Sequence, residues 1–257
     1  MKKVVFALVT VAVMLSMTAC GSKKSDMEYV KEKGTLVVGI TDFAPMDYKD
    51  KDGNWIGFDA DMAKAFAKSL GVKVKFVEIE WDNKVMELKG NTIDCVWNGM
   101  TLTDEVKSGM DCSKAYCNNA QVVVVPAKDA DKYSDEKSIA KLNFAAEAGS
   151  AGESILKEKK YKVTSVKAQS DALMEVASKT ADAAVIDSLM AAAMIGKGTS
   201  YEDLTYTIGL NDEEYGVGFR KGSDLVEKLN QFFTDSKKDG TMKKLAKKYG
   251  VEAALIE

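Results

Sequence analysis

The chain has 257 residues, and its 39 aspartates and glutamates outnumber its 36 lysines and arginines, which gives a net charge of −3 at pH 7. This acidic balance argues against a nucleic-acid partner, because nucleic-acid binding needs clustered cations that displace counterions from phosphates. The sequence contains no histidine, so Ser-His and Cys-His nucleophile pairs and the usual zinc sites are excluded, and we expect no cofactor. Arg220 is the single arginine, so a planar bidentate clamp for a carboxylate is available at one position at most.

Residues 1–19 are typical of a secretory signal peptide. Two lysines precede an apolar run of about fourteen residues, which fits a leader rather than a spanning helix. The next segment, MTACGS, resembles a bacterial lipobox, in which the cysteine is acylated after cleavage. We therefore predict that residues 20–33 are a lipidated Cys20 and a flexible tether, and that the protein is anchored to the outer face of the bacterial cytoplasmic membrane. The alternative is an ordinary secreted protein in which Cys20 has no role.

Three further cysteines, Cys95, Cys112 and Cys117, follow Cys20. An odd number does not suit a scaffold stapled by disulfides. A bond between Cys112 and Cys117 is one alternative, and buried thiols are the other, which we favour.

The first half of the chain beyond the leader alternates strand and helix patterns. TLVVGI at residues 35–40 is rich in β-branched residues and predicts a buried strand. Residues 58–70 place apolar side chains four positions apart, with Asp59 near the start and Gly71 just past the end, which predicts a capped amphipathic helix. The pattern continues with a strand at 73–78, a helix at 82–89 and a strand at 93–97. Such alternation predicts βαβ units and a parallel sheet.

A second cycle of the same kind follows the apolar run at residues 121–126. Strands are predicted at 144–147, 163–166 and 183–186, helices at 153–159 and 171–178, and two terminal helices at 224–237 and 241–249. The two cycles share a faint repeat, because VMELKGNTID at residues 85–94 matches LMEVASKTAD at residues 173–182 in its apolar positions, its Glu and its final Asp. Each half is therefore predicted to be one α/β lobe.

The chain is predicted to cross between these lobes twice. We assign residues 34–121 and 220–257 to lobe 1 and residues 122–219 to lobe 2, with hinges near 121–125 and 215–220. Two crossings make a hinge, and a hinge makes a cleft. Ligands of open α/β sheets bind beyond the carboxyl ends of the strands, which here means residues 40–43, 98–101, 147–151 and Asp187.

These motifs, in this order, resemble the polar amino-acid substrate-binding proteins of ABC importers, the solute-binding family 3. The resemblance is carried by residues 36–105, from LVVGITDF to MTLTDE, and by EAGSAGES, ADAAVID and EEYGVGFRKGSDL. It implies a two-lobed, periplasmic-binding-protein-like α/β fold in which each lobe is a mainly parallel sheet flanked by helices. It also implies a monomer that traps a polar amino acid or amino-acid-like amine between the lobes and delivers it to a membrane permease.

The resemblance further implies a set of ligand-binding residues. Phe43 and Trp81 would stack on the ligand, and Asp187 would bind its α-ammonium. Its carboxylate would be bound by residues of both lobes: Asn98, Gly99, Thr101, Ser150 and Ala151. Each residue has a structural alternative: the two aromatics as core side chains, the hydroxyl residues as turn or cap residues, and Asp187 as the cap of a helix that starts at Ser188. Trp97 is either core or pocket wall.

One position departs from the family pattern. Val106 stands where the family has an arginine that forks the α-carboxylate of the ligand, while Arg220 belongs to the return hinge and Lys107 should point elsewhere. Glu147 adds a second possible anion beside Asp187. Either amides and hydroxyls hold the carboxylate without a counter-ion, or the ligand presents no free α-carboxylate. We therefore predict a ligand whose cationic or amide groups matter more than is usual in the family.

Two other functions compete with a binding protein. Some proteins of this fold are lyases or dehydratases that act on cyclic acids, and here Glu147 or Asp187 could serve as the general acid or base. A ligand-sensing receptor domain is the other alternative, and it normally requires a transmembrane helix joined to a cytoplasmic module. We expect a binding protein rather than an enzyme.

Overall fold

The computed structural model describes residues 24–256. The predicted signal peptide and Cys20 lie outside the described residues. The strands are β1 (Thr35–Ile40), β2 (Tyr48–Lys49), β3 (Trp55–Ile56), β4 (Lys73–Glu78), β5 (Cys95–Thr101), β6 (Asp111–Cys112), β7 (Cys117–Asn119), β8 (Gln121–Pro126), β9 (Asn143–Glu147), β10 (Lys162–Val166), β11 (Ala183–Asp187), β12 (Leu204–Gly209) and β13 (Glu213–Phe219).

The α-helices occupy both ends of the described chain and the connections between strands. They are α1 (Asp26–Lys33), α2 (Phe58–Ser69), α3 (Lys84–Lys89), α4 (Asp104–Gly109), α5 (Glu136–Ile139), α6 (Ala151–Glu158), α7 (Gln169–Ala177), α8 (Ser188–Met194), α9 (Leu225–Lys238) and α10 (Thr241–Tyr249). Short 3₁₀ turns lie at Trp81–Asn83, Ala127–Lys132 and Glu252–Ala254. Within residues 24–256, none of the helices combines the length and apolar character needed to cross a membrane.

Two sheets organise the molecule, one in each lobe. The strand order is β4-β1-β5-β13-β6 in lobe 1, with β7 also paired to β13, and β10-β9-β11-β8-β12 in lobe 2. In each lobe three neighbouring strands are parallel, β4-β1-β5 and β10-β9-β11, and the next strand, β13 or β8, runs antiparallel to them. The predicted two-lobed α/β fold is confirmed. Both sheets are mixed, because β13 in lobe 1 and β8 in lobe 2 run antiparallel to the parallel strands beside them.

The core of lobe 1 follows from the apolar spacing of its helices. Helix α2 buries Phe66 and helix α9 buries Phe233, and the Trp97 ring lies between them with centroid distances of 6.2 and 5.7 Å. Trp97 is therefore a core residue and not a pocket wall. All three cysteines within residues 24–256 are free thiols, so Cys112 and Cys117 do not pair.

The internal repeat is a structural repeat. In lobe 1 the Asp94 amide donates to the Val37 carbonyl and its carboxylate accepts from the Val37 amide, both at 2.7 Å. In lobe 2 Asp182 makes the same two bonds with Asn143, both at 2.9 Å. The turn before each aspartate contains one residue with positive φ, Asn91 or Lys179. The two lobes are therefore built alike from sheet order down to single hydrogen bonds.

The return crossing lies earlier in the chain than predicted. Strand β13 pairs with β5 and β7 of lobe 1 from Glu213 onward, so the crossing is at residues 210–212 and not at 215–220. The glycines of EEYGVGFR are required by close packing. A Cβ on Gly216 would lie 2.5 Å from Leu102, and one on Gly218 would lie 2.0 Å from the Met110 sulfur. The outward crossing is a single residue, Ala120, between β7 and β8.

The predicted tether is also shorter than expected, because residues 26–33 form helix α1. A capping box between Ser25 and Glu28 starts the helix, and Gly34 in the left-handed conformation ends it. Val30 is fully buried against lobe 1, and both carboxylate oxygens of Asp26 accept from Arg220 Nε at 3.1 Å. The segment is rich in lysine and glutamate, so the burial of Val30 was not evident from the sequence.

Arg220 should contribute strongly to stability. Its side chain is 12% exposed, and its guanidinium binds Asp26, the buried Asp94 at 3.4 Å and the Ile93 carbonyl at 2.7 Å. Arg220→Met leaves these acceptors without their common donor, so we expect a loss of about 3 kcal/mol in the free energy of unfolding, measured by urea denaturation. The matched control is Lys221→Met, which breaks an exposed pair with Asp111 and should change stability by less than about 1 kcal/mol. Equal losses in the two variants would contradict this role.

Candidate functional site

A cleft between the lobes lies at the carboxyl ends of β1, β5, β9 and β11. Its empty volume, including the part open to solvent, is about 720 Å³. All ten predicted site residues line it: Phe43, Trp81, Asn98, Gly99, Thr101, Val106, Glu147, Ser150, Ala151 and Asp187. Within residues 24–256, no cluster of acidic and cysteine side chains could hold a metal ion.

The two lobes are in direct contact across the cleft. The Lys84 ammonium at the start of α3 donates to the Gly149 carbonyl of lobe 2 at 2.9 Å. Gly149 has φ +70, and a Cβ there would lie 2.7 Å from Asp82 of lobe 1. Lys167 and Glu80 form a further pair between the lobes at 3.2 Å, but both side chains are exposed, so this pair contributes little. The structure therefore shows the lobes closed on each other.

Two aromatic side chains form part of the wall. Phe43 and Trp81 both line the cleft and are largely buried. The Phe43 ring lies so close to Gly99 that a Cβ on the glycine would be 2.5 Å from it. The Trp81 ring has the Lys84 ammonium 4.9 Å from its centroid, which is a cation–π distance.

The predicted hydrogen-bond donors of residues 98–101 are used inside lobe 1. The Asn98 amide donates to Asp47 at 3.0 Å and to the Thr41 carbonyl at 3.3 Å. The Gly99 amide donates to Asp59 at 2.6 Å, and the Thr101 hydroxyl donates to Glu213 at 2.8 Å. In this closed structure these groups are bonded within lobe 1, and their predicted donation to the carboxylate of a ligand stays a prediction.

A buried pair of acids holds that wall from behind. Asp59 accepts from both the Gly99 amide and the Tyr116 hydroxyl, and burial raises its pKa to about 7. Burial and the neighbouring Asp59 raise the pKa of Asp47 as well. The sequence pattern placed Asp59 at a helix cap, but it makes no capping bond. Its inward orientation could not be read from the sequence.

The hydroxyl of Ser150 and the first turn of α6 face the cleft from lobe 2. Ser150 is the N-cap, and its oxygen accepts from the Glu153 amide at 3.0 Å. The amides of Ala151 and Gly152 have no acceptor inside the helix, as in the first turn of any helix. The helix dipole adds a partial positive charge at this end, so this part of the cleft suits an anion.

Asp187 lies at the centre of a hydrogen-bond network at the chain crossing. Its carboxylate accepts from Tyr215 at 2.8 Å, from Gln121 at 2.9 Å, and from Asn119 and Gln169. The same Asn119 and Gln121 amides also donate to Glu213, at 2.6 and 2.8 Å. Burial, and then the charge of Glu213, raise the pKa of Asp187. The side chain of Asp187 does not cap α8, so that alternative is excluded.

Glu147 is the other buried acid of the cleft. Its Oε1 atom is buried and has no hydrogen-bond partner among residues 24–256. Burial raises the pKa of Glu147 to about 8, and the charge of Lys84 opposes this shift. The charge of Lys84 thus offsets only part of the effect of burial on this carboxyl group.

Lys84 supplies the positive charge that the sequence reasoning missed. Its side chain is mostly buried, and burial lowers its pKa while the charge of Glu147 opposes that shift. A lysine in an amphipathic helix is normally expected on the solvated face. The burial of Lys84 becomes apparent only from its contact with lobe 2. Arg220 lies under α1, and Lys107 is exposed and outside the lining, as expected. The described lining contains one ammonium, that of Lys84, and four carboxyl groups, those of Asp82, Glu105, Glu147 and Asp187.

Two hinged lobes that close over a polar cleft define a solute-binding protein. The chain belongs to the bacterial extracellular solute-binding proteins, family 3, whose family model matches residues 36–252. The predicted family and the extracytoplasmic binding function are thus confirmed.

Three relatives show the extent of the similarity. The arginine-binding extracellular protein ArtP of Bacillus subtilis is 32% identical over 258 residues, covering 97% of this chain and 98% of that protein. An amino acid ABC transporter substrate-binding protein from Streptococcus pneumoniae, bound to L-arginine, is 30% identical with a TM-score of 0.80 and covers 91% of this chain and 100% of its own. The ancestral amino acid-binding protein AncCDT-1, a precursor of cyclohexadienyl dehydratase, is 36% identical with a TM-score of 0.80, covering 88% and 99%.

Gly149 should be required for closure. In Gly149→Ala the new methyl group meets Asp82 of the other lobe, so we expect the closed state to be lost and the ligand Kd to rise at least about tenfold. Small-angle scattering with ligand present, which reports the radius of gyration, checks the loss of closure, and calorimetry checks the affinity. Gly71→Ala is the matched control, because Gly71 has φ +75 but nothing within 4 Å of the place that its Cβ would occupy. Its backbone cost is therefore the same, and an equal effect on affinity would contradict the closure role.

Proposed function

We propose that this protein captures an amino acid with a cationic side chain outside the cytoplasm and delivers it to an ABC permease. The charge of the cleft carries the proposal. Four carboxyl groups and one ammonium line it, and a buried oxygen of Glu147 has no partner among the described residues. A neutral or acidic side chain gives the charged forms of these buried acids no partner, whereas a cation does. An arginine-binding name and an arginine-bound structure among the relatives support the same class.

The two ends of such a ligand find complementary groups in the cleft. Asp187 is assigned to the α-ammonium, which would offset the charge that Asp187 shares with Glu213. Glu147 is assigned to the cationic side chain, whose planar or extended form can lie between Phe43 and Trp81. Both acids have raised pKa values because burial disfavours their charged forms, so a bound cation restores the charged form of each.

The α-carboxylate is assigned to Lys84 and to the N-terminus of α6. The ammonium of Lys84 belongs to lobe 1, and it contacts Gly149 of lobe 2. The amides of Ala151 and Gly152, at the start of α6, belong to lobe 2. These groups replace the arginine that the family carries at position 106, where this chain has Val106. An ammonium lacks the planar fork of a guanidinium, so recognition of the cationic end has more weight in selectivity here.

A second candidate is a lyase or dehydratase. Glu147 favours it, because a carboxyl group that burial keeps protonated near neutral pH has the property of a general acid. The similarity to a precursor of cyclohexadienyl dehydratase points the same way. We infer binding without turnover, since that precursor is itself described as an amino acid-binding protein. Recovery of the ligand unchanged after long incubation supports this choice, and a new product would reverse it.

Binding of L-arginine should release protons through Glu147. At pH 7 the carboxyl group is mostly protonated, because its pKa is about 8, and a cation beside it favours the carboxylate. Affinity should therefore rise with pH up to about pH 8, and calorimetry in two buffers of different ionisation enthalpy should detect the released protons. In Glu147→Gln we expect weaker binding and less proton release.

The matched control is Glu105→Gln, which removes an exposed carboxyl group from the same lining and should retain the proton release. A panel of amino acids, their amides and esters, polyamines and short peptides tests the ligand class by its effect on the melting temperature. If neutral amino acids raised the melting temperature more than L-arginine and L-lysine did, the proposed ligand class would be wrong.

We further propose that the protein is a monomer held to the membrane by lipid on Cys20. The lipobox-like MTACGS supports the anchor. Cys20→Ser should move the protein from the membrane fraction to the soluble fraction of cells without changing ligand affinity, because the cleft lies within the two lobes. Fractionation and immunoblotting provide the measurement. A variant that stays with the membrane would disprove the anchor, and gel filtration of the soluble variant checks its oligomeric state.

A further inference from the structure

Two carboxyl groups at the chain crossing accept from the same two side-chain amides. The Nδ2 atom of Asn119 donates to Asp187 Oδ1 and, at 2.6 Å, to Glu213 Oε1. The Nε2 atom of Gln121 donates to the same two oxygens, at 2.9 and 2.8 Å. Because a side-chain amide has two N–H groups, each amide gives one of them to each carboxyl group. The two carboxyl oxygens are therefore immediate neighbours.

Further donors to this pair of acids are also neutral. Asp187 accepts from the hydroxyl of Tyr215 at 2.8 Å and from the amide of Gln169. Glu213 accepts from the hydroxyl of Thr101 at 2.8 Å. Neither carboxyl group forms an ion pair within residues 24–256. In the part of the chain that the structure describes, the pair thus has many hydrogen bonds and no counter-ion.

Two full negative charges at this place would be costly. Asp187 is 4% exposed and Glu213 is half-buried, and neighbouring carboxylates without a cation repel each other. Burial raises the pKa of Asp187, and the charge of Glu213 and a hydrogen bond between the two groups raise it further, against the opposing bonds from Gln169 and Tyr215. An ionised carboxylate only accepts hydrogen bonds, so two carboxyl groups bond to each other only when one is protonated. The contact therefore fits a pair that holds one proton.

The charged groups around the pair favour this proton. Burial and the charge of Asp187 raise the pKa of Tyr215, so Tyr215 stays neutral. The other titratable groups of the cleft lining are Asp82, Lys84, Glu105 and Glu147. Those of the adjoining cavity, which Glu213 also lines, are Asp104, Glu105, Lys107, Glu158, Asp212 and Glu214. Carboxyl groups outnumber lysines on both sides, so the surrounding charge opposes loss of the proton.

We propose that Asp187 and Glu213 share one proton in the ligand-free protein and that the α-ammonium of the ligand replaces it. The proton passes to solvent while the ammonium brings one positive charge to the same place, so the total charge does not change. Glu213 is thus a positioning residue that acts on the ligand through Asp187. A solute without an α-ammonium cannot make this exchange, so a free α-ammonium is a condition of binding. This inference rests on the proposed binding of the α-ammonium to Asp187.

Thermal unfolding of the ligand-free protein tests the shared proton. In Glu213→Gln the side-chain amide can donate to Asp187 at every pH, and its carbonyl oxygen still accepts from the neighbouring donors, so the variant should fold. The native pair keeps its proton at a pH where the unfolded chain has lost it, so the native chain loses stability as the pH rises. Between about pH 5 and about pH 8 we expect its melting temperature to fall by about 2 °C or more relative to that of Glu213→Gln.

The matched control is Glu214→Gln, which removes the exposed acid next to Glu213 on β13. The native chain should show no such fall relative to this variant. An ionised Glu213 that serves only as a hydrogen-bond acceptor predicts no fall relative to Glu213→Gln either, and that result or the opposite trend would overturn the proposal.

Proton counting separates this exchange from the one at Glu147. Calorimetry of Glu147→Gln at about pH 6, in two buffers of different ionisation enthalpy, should still detect about one proton released for each L-arginine bound. Adding Glu213→Gln should remove at least about half of this release, and adding Glu214→Gln should retain it. No release from Glu147→Gln, or equal release from the two double variants, would contradict the exchange. If L-arginine did not bind at all, the proposed ligand would be wrong, and the unfolding of the ligand-free protein would still decide whether the pair shares a proton.

Discussion

The chain crossing depends on two carboxyl groups that share one set of donors. Asp187 of lobe 2 and Glu213 of lobe 1 both accept from the side-chain amides of Asn119 and Gln121. Because the same donors serve both lobes, the network holds its geometry only at a particular angle between them. Like charges at short range repel each other, so the closed angle is favoured when a cation reaches Asp187. If Asp187 binds the α-ammonium, as proposed, the hinge and the ammonium site are parts of one electrostatic arrangement.

The rest of the cleft extends the same arrangement outward. Lys84 bridges the lobes and moderates the buried acid Glu147, while Asp47 and Asp59 fix the strand end that forms the opposite wall. The protein uses few rigid charge pairs here and many buried acids held by neutral donors. With the proposed cationic ligand, the positive charge that the described lining provides only through Lys84 is supplied by the ligand. In that proposal, selectivity comes from charge balance across the cleft more than from any single contact.

Much of the fold could be predicted because periodicity and caps are local. The strands at 35–40 and 73–78 and the helix at 241–249 have the predicted bounds, and the family resemblance placed the lining residues. Burial of polar residues could not be predicted. Lys84 and Asp59 look like surface residues in the sequence, and only packing between distant segments turns them inward. The return crossing was misplaced for a related reason, since the pairing of residues 213–219 with β5 and β7 joins segments that are far apart in the sequence.

If lipid on Cys20 holds the protein to the membrane, as proposed, the docked helix α1 sets how far the lobes can stand from it. Its cap at Ser25 is fixed to lobe 1 through Val30 and through the pair of Asp26 with Arg220. With lipid on Cys20, the five residues between anchor and helix span at most about 18 Å, against roughly 45 Å for a tether that ran to residue 33. Ligand capture would take place in a thin layer above the bilayer, and the search for a permease would be a lateral diffusion at nearly constant height.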